Sequence, residues 1–327
     1  GVTPGKTNRT NFAQSDWAQF NPRFGLNYQA TDELTIKGAI YRNFAAPGMN
    51  NLYRTYFSSG SIYASNANLT PEQNFGQEIT ATWKPSEEIE IQGTFFHNWL
   101  SNYIQSIQLC GSTVGKETAG NCNNTATSVG FGGYASTSTV SGVNQQNNVG
   151  NATLMGWEGS IRWRPTSSLA LNFGITQVEA YLNGLSSQVQ ALNAKSTGAP
   201  LAVMNKQLPY VQPWTITQGG DWNLSDLLLD GLSFNYVIKA WPAYYSSTVQ
   251  QQYGSTANWN TQNNSTVATG ALTADLGIMY KAFKQVDFSL TAQNVGDRYY
   301  VQGPASSSSP ATLGMPFNLM GGVRITW

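Results

Sequence analysis

In nearly every stretch where this sequence alternates in character, its charged residues fall on the parity opposite to its apolar ones. Lys37 opposes Leu34, Ile36 and Ile40; Glu158, Arg162 and Arg164 oppose Trp157, Ile161 and Trp163; Asp275 opposes Leu272, Ala274, Leu276, Ile278 and Tyr280. Arg23, Glu78, Lys84, Glu88, Glu90, Asp221, Lys239 and Arg324 obey the same rule within their own segments. Successive side chains of a strand point to opposite faces, so each segment reads as a strand with one greasy and one wet face. A Lys or Arg facing hydrocarbon at the bilayer midplane costs roughly 2–4 kcal/mol, whereas a lumen position is hydrated. The pattern predicts strands standing between lipid and water. Glu179 breaks the rule by sharing parity with Leu169, Leu171, Phe173 and Ile175. It lies ten residues beyond Leu169, where a tilted strand leaves the bilayer after about 9–11 residues.

Composition agrees. Only 10% of the 327 residues are charged and 12% are aromatic, against roughly 25% charged in soluble domains. A formal net charge of zero gives no electrostatic case for nucleic acid. Nothing approaches the roughly 18 consecutive apolar residues of a membrane helix, and the mean hydropathy is −0.30. If the chain crosses a membrane, it crosses as strands. It begins at Gly1 without a signal peptide, which predicts an export address upstream of it.

The alternating segments come in pairs. Those at about 22–30 and 34–42 are joined by a tight turn, as are 74–84 and 88–105, 152–164 and 169–179, 213–224 and 232–245, and 271–282 and 287–294. Long polar stretches separate the pairs, and a last strand closes the chain at 317–327. Outer-membrane barrels have short turns on one side and long loops on the other. The predicted fold is therefore all-β, an antiparallel up-and-down transmembrane β-barrel of about eleven strands. Single-chain bacterial barrels have even strand numbers, because closure is what removes the sheet's edges. Eleven strands predict the C-terminal part of a larger barrel at 22–327, with 1–21 as the end of an extracellular loop.

Several motifs resemble one family. Arg42-Asn43-Phe44-Ala45-Ala46-Pro47, then Asn50-Asn51-Leu52-Tyr53, then Asn68-Leu69-Thr70-Pro71-Glu72 are similar to segments that follow a rising strand in TonB-dependent outer-membrane receptors. Gly156-Trp157-Glu158 and Asn294-Val295-Gly296-Asp297-Arg298-Tyr299-Tyr300 look like two further elements of that family. The closing segment, with Phe317, Leu319, Val323, Ile325 and Trp327 on one parity, is similar to the assembly signal read by the barrel-assembly machinery. The resemblance implies a 22-stranded barrel of a Gram-negative outer membrane, surrounded by lipid and plugged by an N-terminal domain that contacts TonB. It implies energised uptake of a scarce solute, a ferric siderophore foremost.

Residue by residue, the motifs also suit structural work. Pro47 and Pro71 lack the N–H that a central strand needs and fit rims or loops. Arg42, Tyr53 and Arg54 are the candidates for lining an outer vestibule, and Tyr56, Phe57, Tyr63, Tyr253 and Trp259 are aromatics that would grip a ligand or cap a loop. Cys110 and Cys122 read as a local disulfide rather than a zinc site, since zinc takes four ligands and no others cluster nearby. His97, the single histidine, reads as a rim residue of an aromatic girdle. Nothing resembles a catalytic constellation, a metal site or a cofactor site. Two other readings stay open: a passive porin or sugar-selective channel of roughly 16–18 strands, and a secreted all-β binding protein.

Overall fold

Period-two alternation yields eleven long strands in a computed structural model that describes residues 16–58, 60–111, 122–130, 139–195, 204–245, 267–303 and 312–327. They are β1 (Arg23–Gln29), β2 (Leu34–Ala45), β3 (Glu72–Ser86), β4 (Ile89–Cys110), β5 (Gly142–Thr166), β6 (Leu169–Leu185), β7 (Trp214–Asn223), β8 (Leu232–Trp241), β9 (Ala271–Phe283), β10 (Val286–Gln293) and β11 (Asn318–Ile325). Each pairs antiparallel with its chain neighbours, in the order β1 to β11. Among the described residues β1 pairs only with β2 and β11 only with β10, so the sheet is open. Among the described residues no helix is long and apolar enough to cross a membrane.

Register keeps the two faces separate across the sheet. Asn27, Lys37, Thr80, Thr94, Glu158, Thr176 and Thr215 stand opposite one another in a single polar row through seven strands. One residue along, Ile79, Phe95 and Trp157 follow one another on the other face, and the rings of Phe95 and Trp157 meet at a tilt of 51° with centroids 4.8 Å apart. A pairing slip of one residue would exchange the faces. On the polar face Tyr41 leans over Gly76 to donate to Asn98 Oδ1 at 3.1 Å. A Cβ on Gly76 would meet that ring at 2.4 Å, so the close crossing needs glycine.

Strand boundaries depart from the expected ones in one region above all. β5 begins at Gly142, ten residues before the predicted 152, while β4 runs on to Cys110 and β6 to Leu185. These extensions rise beyond bulges at Leu100/Tyr103 and Asn151/Ala152, where Asn102 takes a left-handed φ of 58°. Asn and Gln at 144–148 occupy both parities, so the ladder continues there without the alternating sequence signature. The predicted 43–73 loop likewise contains helix α1 (Met49–Tyr53) and a hairpin, Tyr56–Ser58 with Ser61–Ala64. Strand β8 ends at Trp241 rather than 245, because Pro242 has no N–H for the ladder. Tyr244–Tyr245 forms a separate short pair with Val267–Ala268.

Among the described residues the lower wall shows no buried apolar cluster. Buried apolar residues gather at the long-loop end in two clusters. Ile62, Cys110, Cys122, Ala126 and Val143 form one, beneath helix α2 (Asn123–Ser128). Ile107, Val149, Ala152, Leu182 and Val189 form the other, with Val189 supplied by helix α3 (Ser187–Lys195).

Candidate functional site

The long connection after β2 does not stay above its own strands. Ser61–Ala64 pairs in parallel with the first residues of β5, Gly142 to Gln145, two strands beyond β3. It takes the place beside β5 that β6 holds lower down. Side chains latch it there. Asn66 Nδ2 donates to Gln146 O at 2.9 Å and to Asn147 Oδ1 at 3.1 Å. Asn148 Oδ1 accepts from Thr70 N at 3.0 Å, while its Nδ2 donates to Thr70 O at 3.0 Å and Asn102 O at 2.7 Å. Glu72 then accepts from Ile104 N at 2.7 Å. Burial, followed by the Glu72 charge, pushes the nearby Tyr103 phenol above its ordinary value. Residues 66–72 thus clamp the loop onto the β4–β5 bulge, and the Asn148 amide that completes the clamp carries no motif of its own.

The three vestibule candidates part company. Tyr53 ends α1, half-buried, and Arg54 follows it, exposed, with its guanidinium 5.5 Å from the Tyr56 ring centroid. Tyr56 stacks on Tyr63 at 4.8 Å with the rings 7° apart. Arg54, Tyr56 and Tyr63 therefore make one cationic and aromatic layer on the hairpin. Arg42 is elsewhere: β2 continues through it, its parity is that of Ile36 and Ile40 on the apolar face, and it donates to Gln73 Oε1. Tyr253, Trp259 and residues 1–15 lie outside the described residues.

Cys110 and Cys122 are joined in a disulfide, both fully buried, with Cα atoms 5.8 Å apart. His97 has the outward parity of Ile91 and Phe95, and its ring packs 3.7 Å from that of Trp99. Its Nε2 is buried without a hydrogen-bond partner. Among the described residues no three His, Cys, Asp or Glu side chains converge.

A niche that the motifs do not signal lies on the polar face at the long-loop end of β7 to β10. It encloses about 380 Å³ and includes Thr215, Lys239, Trp241, Asp275 and Tyr300. Trp241 meets Tyr300 edge-on at 5.2 Å, and the Tyr244 hydroxyl donates to Gln302 O at 2.9 Å. Burial, the first cause, pushes the Tyr244 phenol up. The turn after β10 builds the floor: Asn294 N donates to Asp275 Oδ1 at 2.8 Å, and Asn294 Nδ2 to Arg298 O at 3.0 Å and Met315 O at 2.9 Å. Asp297 Oδ1 accepts from Phe317 N at 2.8 Å, aiming the chain into β11. Parity signals Lys239 and Asp275, but no local pattern brings Tyr300 to them. A larger cleft of about 700 Å³ lies at the opposite end, among the short turns and including Arg164 and Asp221.

Comparison with known proteins places this geometry. A family model described as TonB dependent receptor-like, beta-barrel, matches residues 2–295. A search of curated proteins finds no match. Among solved structures the chain is similar to the ferric-catecholate import receptor Fiu of E. coli K12, at 16% identity and TM-score 0.59 over 93% of this chain and 34% of that one. It is also similar to the ferric yersiniabactin uptake receptor FyuA of Yersinia pestis, at 12% identity and TM-score 0.58, covering 93% and 36%. The copper transporter OprC gives 12% identity and TM-score 0.61, covering 93% and 39%. At such identities the likeness shows the fold alone, and the chain spans well under half the length of each. The family match covers most of the sequence, and the eleven-stranded sheet agrees with it: the chain belongs to the TonB-dependent receptor family, within the β-barrel part.

Proposed function

We propose that this chain is part of a receptor that takes up a scarce solute across the outer membrane with energy relayed by TonB, and that the solute is a ferric siderophore. The family is one of outer-membrane transport receptors rather than enzymes. The observation that carries the reading is the sheet's division into an apolar face and a polar face across eleven strands, roofed at one end by latched loops. Two of the similar structures are receptors named for ferric-catecholate import and ferric yersiniabactin uptake, which supports iron as cargo. In this reading TonB acts through a plug domain outside these residues. Residues 1–21 end an extracellular loop, the apolar face meets outer-membrane lipid, and Phe317, Leu319, Val323, Ile325 and Trp327 form the signal for the barrel-assembly machinery. Tyr53 and Arg54, with the Tyr56–Tyr63 stack, belong to the vestibule; Arg42, on the apolar face, has no part in it.

The test is growth under iron limitation after deletion of the intact gene, with uptake of labelled ferric siderophores and cobalamin measured alongside. Loss of uptake of a ferric siderophore is the expected result. Normal uptake of the whole panel would remove the iron assignment. Uptake that persists after the inner-membrane energy source is dissipated would replace the receptor with a passive channel.

A further inference from the structure

Four of the five short connections, at 30–33, 87–88, 167–168 and 284–285, contain no large apolar residue. The connection from β7 to β8 differs. It reads Leu224-Ser225-Asp226-Leu227-Leu228-Leu229-Asp230-Gly231, and Leu227, Leu228 and Leu229 are 63%, 73% and 47% exposed. The turn is built to hold them there. Leu224 N donates to Leu232 O at 2.8 Å, Leu228 N to Leu224 O at 2.9 Å, and Gly231 N to Ser225 Oγ at 3.1 Å. Asn223 Oδ1 accepts from both Ser225 N and Ser225 Oγ, and Lys281 N from β9 donates to Gly231 O at 2.9 Å. Three consecutive leucines are thus presented on a braced tip, bracketed by the exposed Asp226 and Asp230.

Two features decide what covers them. Successive residues of a helix-like turn diverge by about 100°, so three in a row do not enter one protein groove, which reads positions three and four apart. A fluid apolar medium surrounds such a tip from every side. The tip is also continuous with the apolar face, for Trp222 and Leu232 have that face's parity at the ends of β7 and β8, and tryptophan favours the membrane boundary. We infer that the Leu227-Leu228-Leu229 tip enters the lipid leaflet on the short-turn side, with Asp226 and Asp230 at the headgroups. This rests on the reading that the sheet spans a membrane. The two carboxylates make a zwitterionic surface a better host than an anionic one.

The intact protein, reconstituted in phosphatidylcholine vesicles, tests this with a nitroxide at Leu228→Cys. Glu87→Cys in another short turn serves as the aqueous control, and Ile161→Cys on the apolar face as the lipid control. Cys110 and Cys122 are joined in a disulfide, and with any cysteine outside these residues replaced by serine only the new thiol takes label. Expected at Leu228 is strong collision with oxygen and a several-fold lower collision rate with the water-soluble nickel chelate than at Glu87. Adding phosphatidylglycerol raises the nickel contact. Nickel contact equal to that at Glu87 overturns the inference, and so does shielding from both reagents, which would mean a protein partner. Nickel contact at Ile161 would take the membrane reading down with it, whereas lipid contact at Ile161 alone would sink only the tip.

Discussion

Asn148 shows how much of the outer architecture hangs on one amide. It has no charge and no motif, yet its two ends tie Thr70 to Asn102 across two elements. Asn148→Ala would strand those groups and cost about 1–3 kcal/mol of local stability. The expected result is faster amide exchange at Asn68, Leu69 and Glu72 with the wall unaffected; unchanged exchange there would show that the clamp holds without it. At this scale the sequence was informative wherever solvent contrast acted. Lys37, Glu158 and Asp275 could be assigned a face from parity because the opposite parity is apolar in each strand. Arg42 could not be given its place, because its assignment depended on where β2 stops. Nor was Asn148 legible: an asparagine among asparagines carries no pattern until its partners are known.

Elements repeat the lesson with a sharper test. Leu290 and Thr291 are adjacent in β10 and belong to opposite faces, opposite Gly321 and Met320 of β11. Leu290→Lys should destabilise the reconstituted protein by roughly 2–4 kcal/mol, and Thr291→Lys by roughly 0–1 kcal/mol. Urea unfolding in vesicles reads the difference, and equal losses would contradict the assignment of faces. Strands whose two faces differ in polarity were legible to within a few residues, since alternation stops close to where each of them ends. The outer parts of β4, β5 and β6 were not. Residues 142–151 contain Asn144, Gln145, Gln146, Asn147 and Asn148 in succession, a run with no alternation to read. They are strand because β4 is there to pair with them.

The whole molecule has two kinds of stability. Its wall is a hydrogen-bonded sheet whose apolar side needs an external solvent, while its loop layer has dry clusters of its own, one of them closed by Cys110–Cys122. A crosslink spanning 12 residues contributes about 3 kcal/mol in the chain-entropy description. Reduction should therefore loosen α2 and the Ser61–Ala64 hairpin in a separate, earlier unfolding step and leave the wall's transition in place. One shared transition with and without reductant would show that the two parts unfold as a unit. Taken alone, the sequence determined which residues belong to the apolar face, how many long strands there are and which connections are long, because each depends on a local period or a local turn. Only tertiary structure decided that the loop after β2 reaches across to β5, that Tyr300 meets Trp241 beside Lys239, and that Arg42 sits within β2 bonded to Gln73. Those contacts join residues far apart in the chain through backbone ladders and amide bonds, which impose no periodic pattern on the residues that make them.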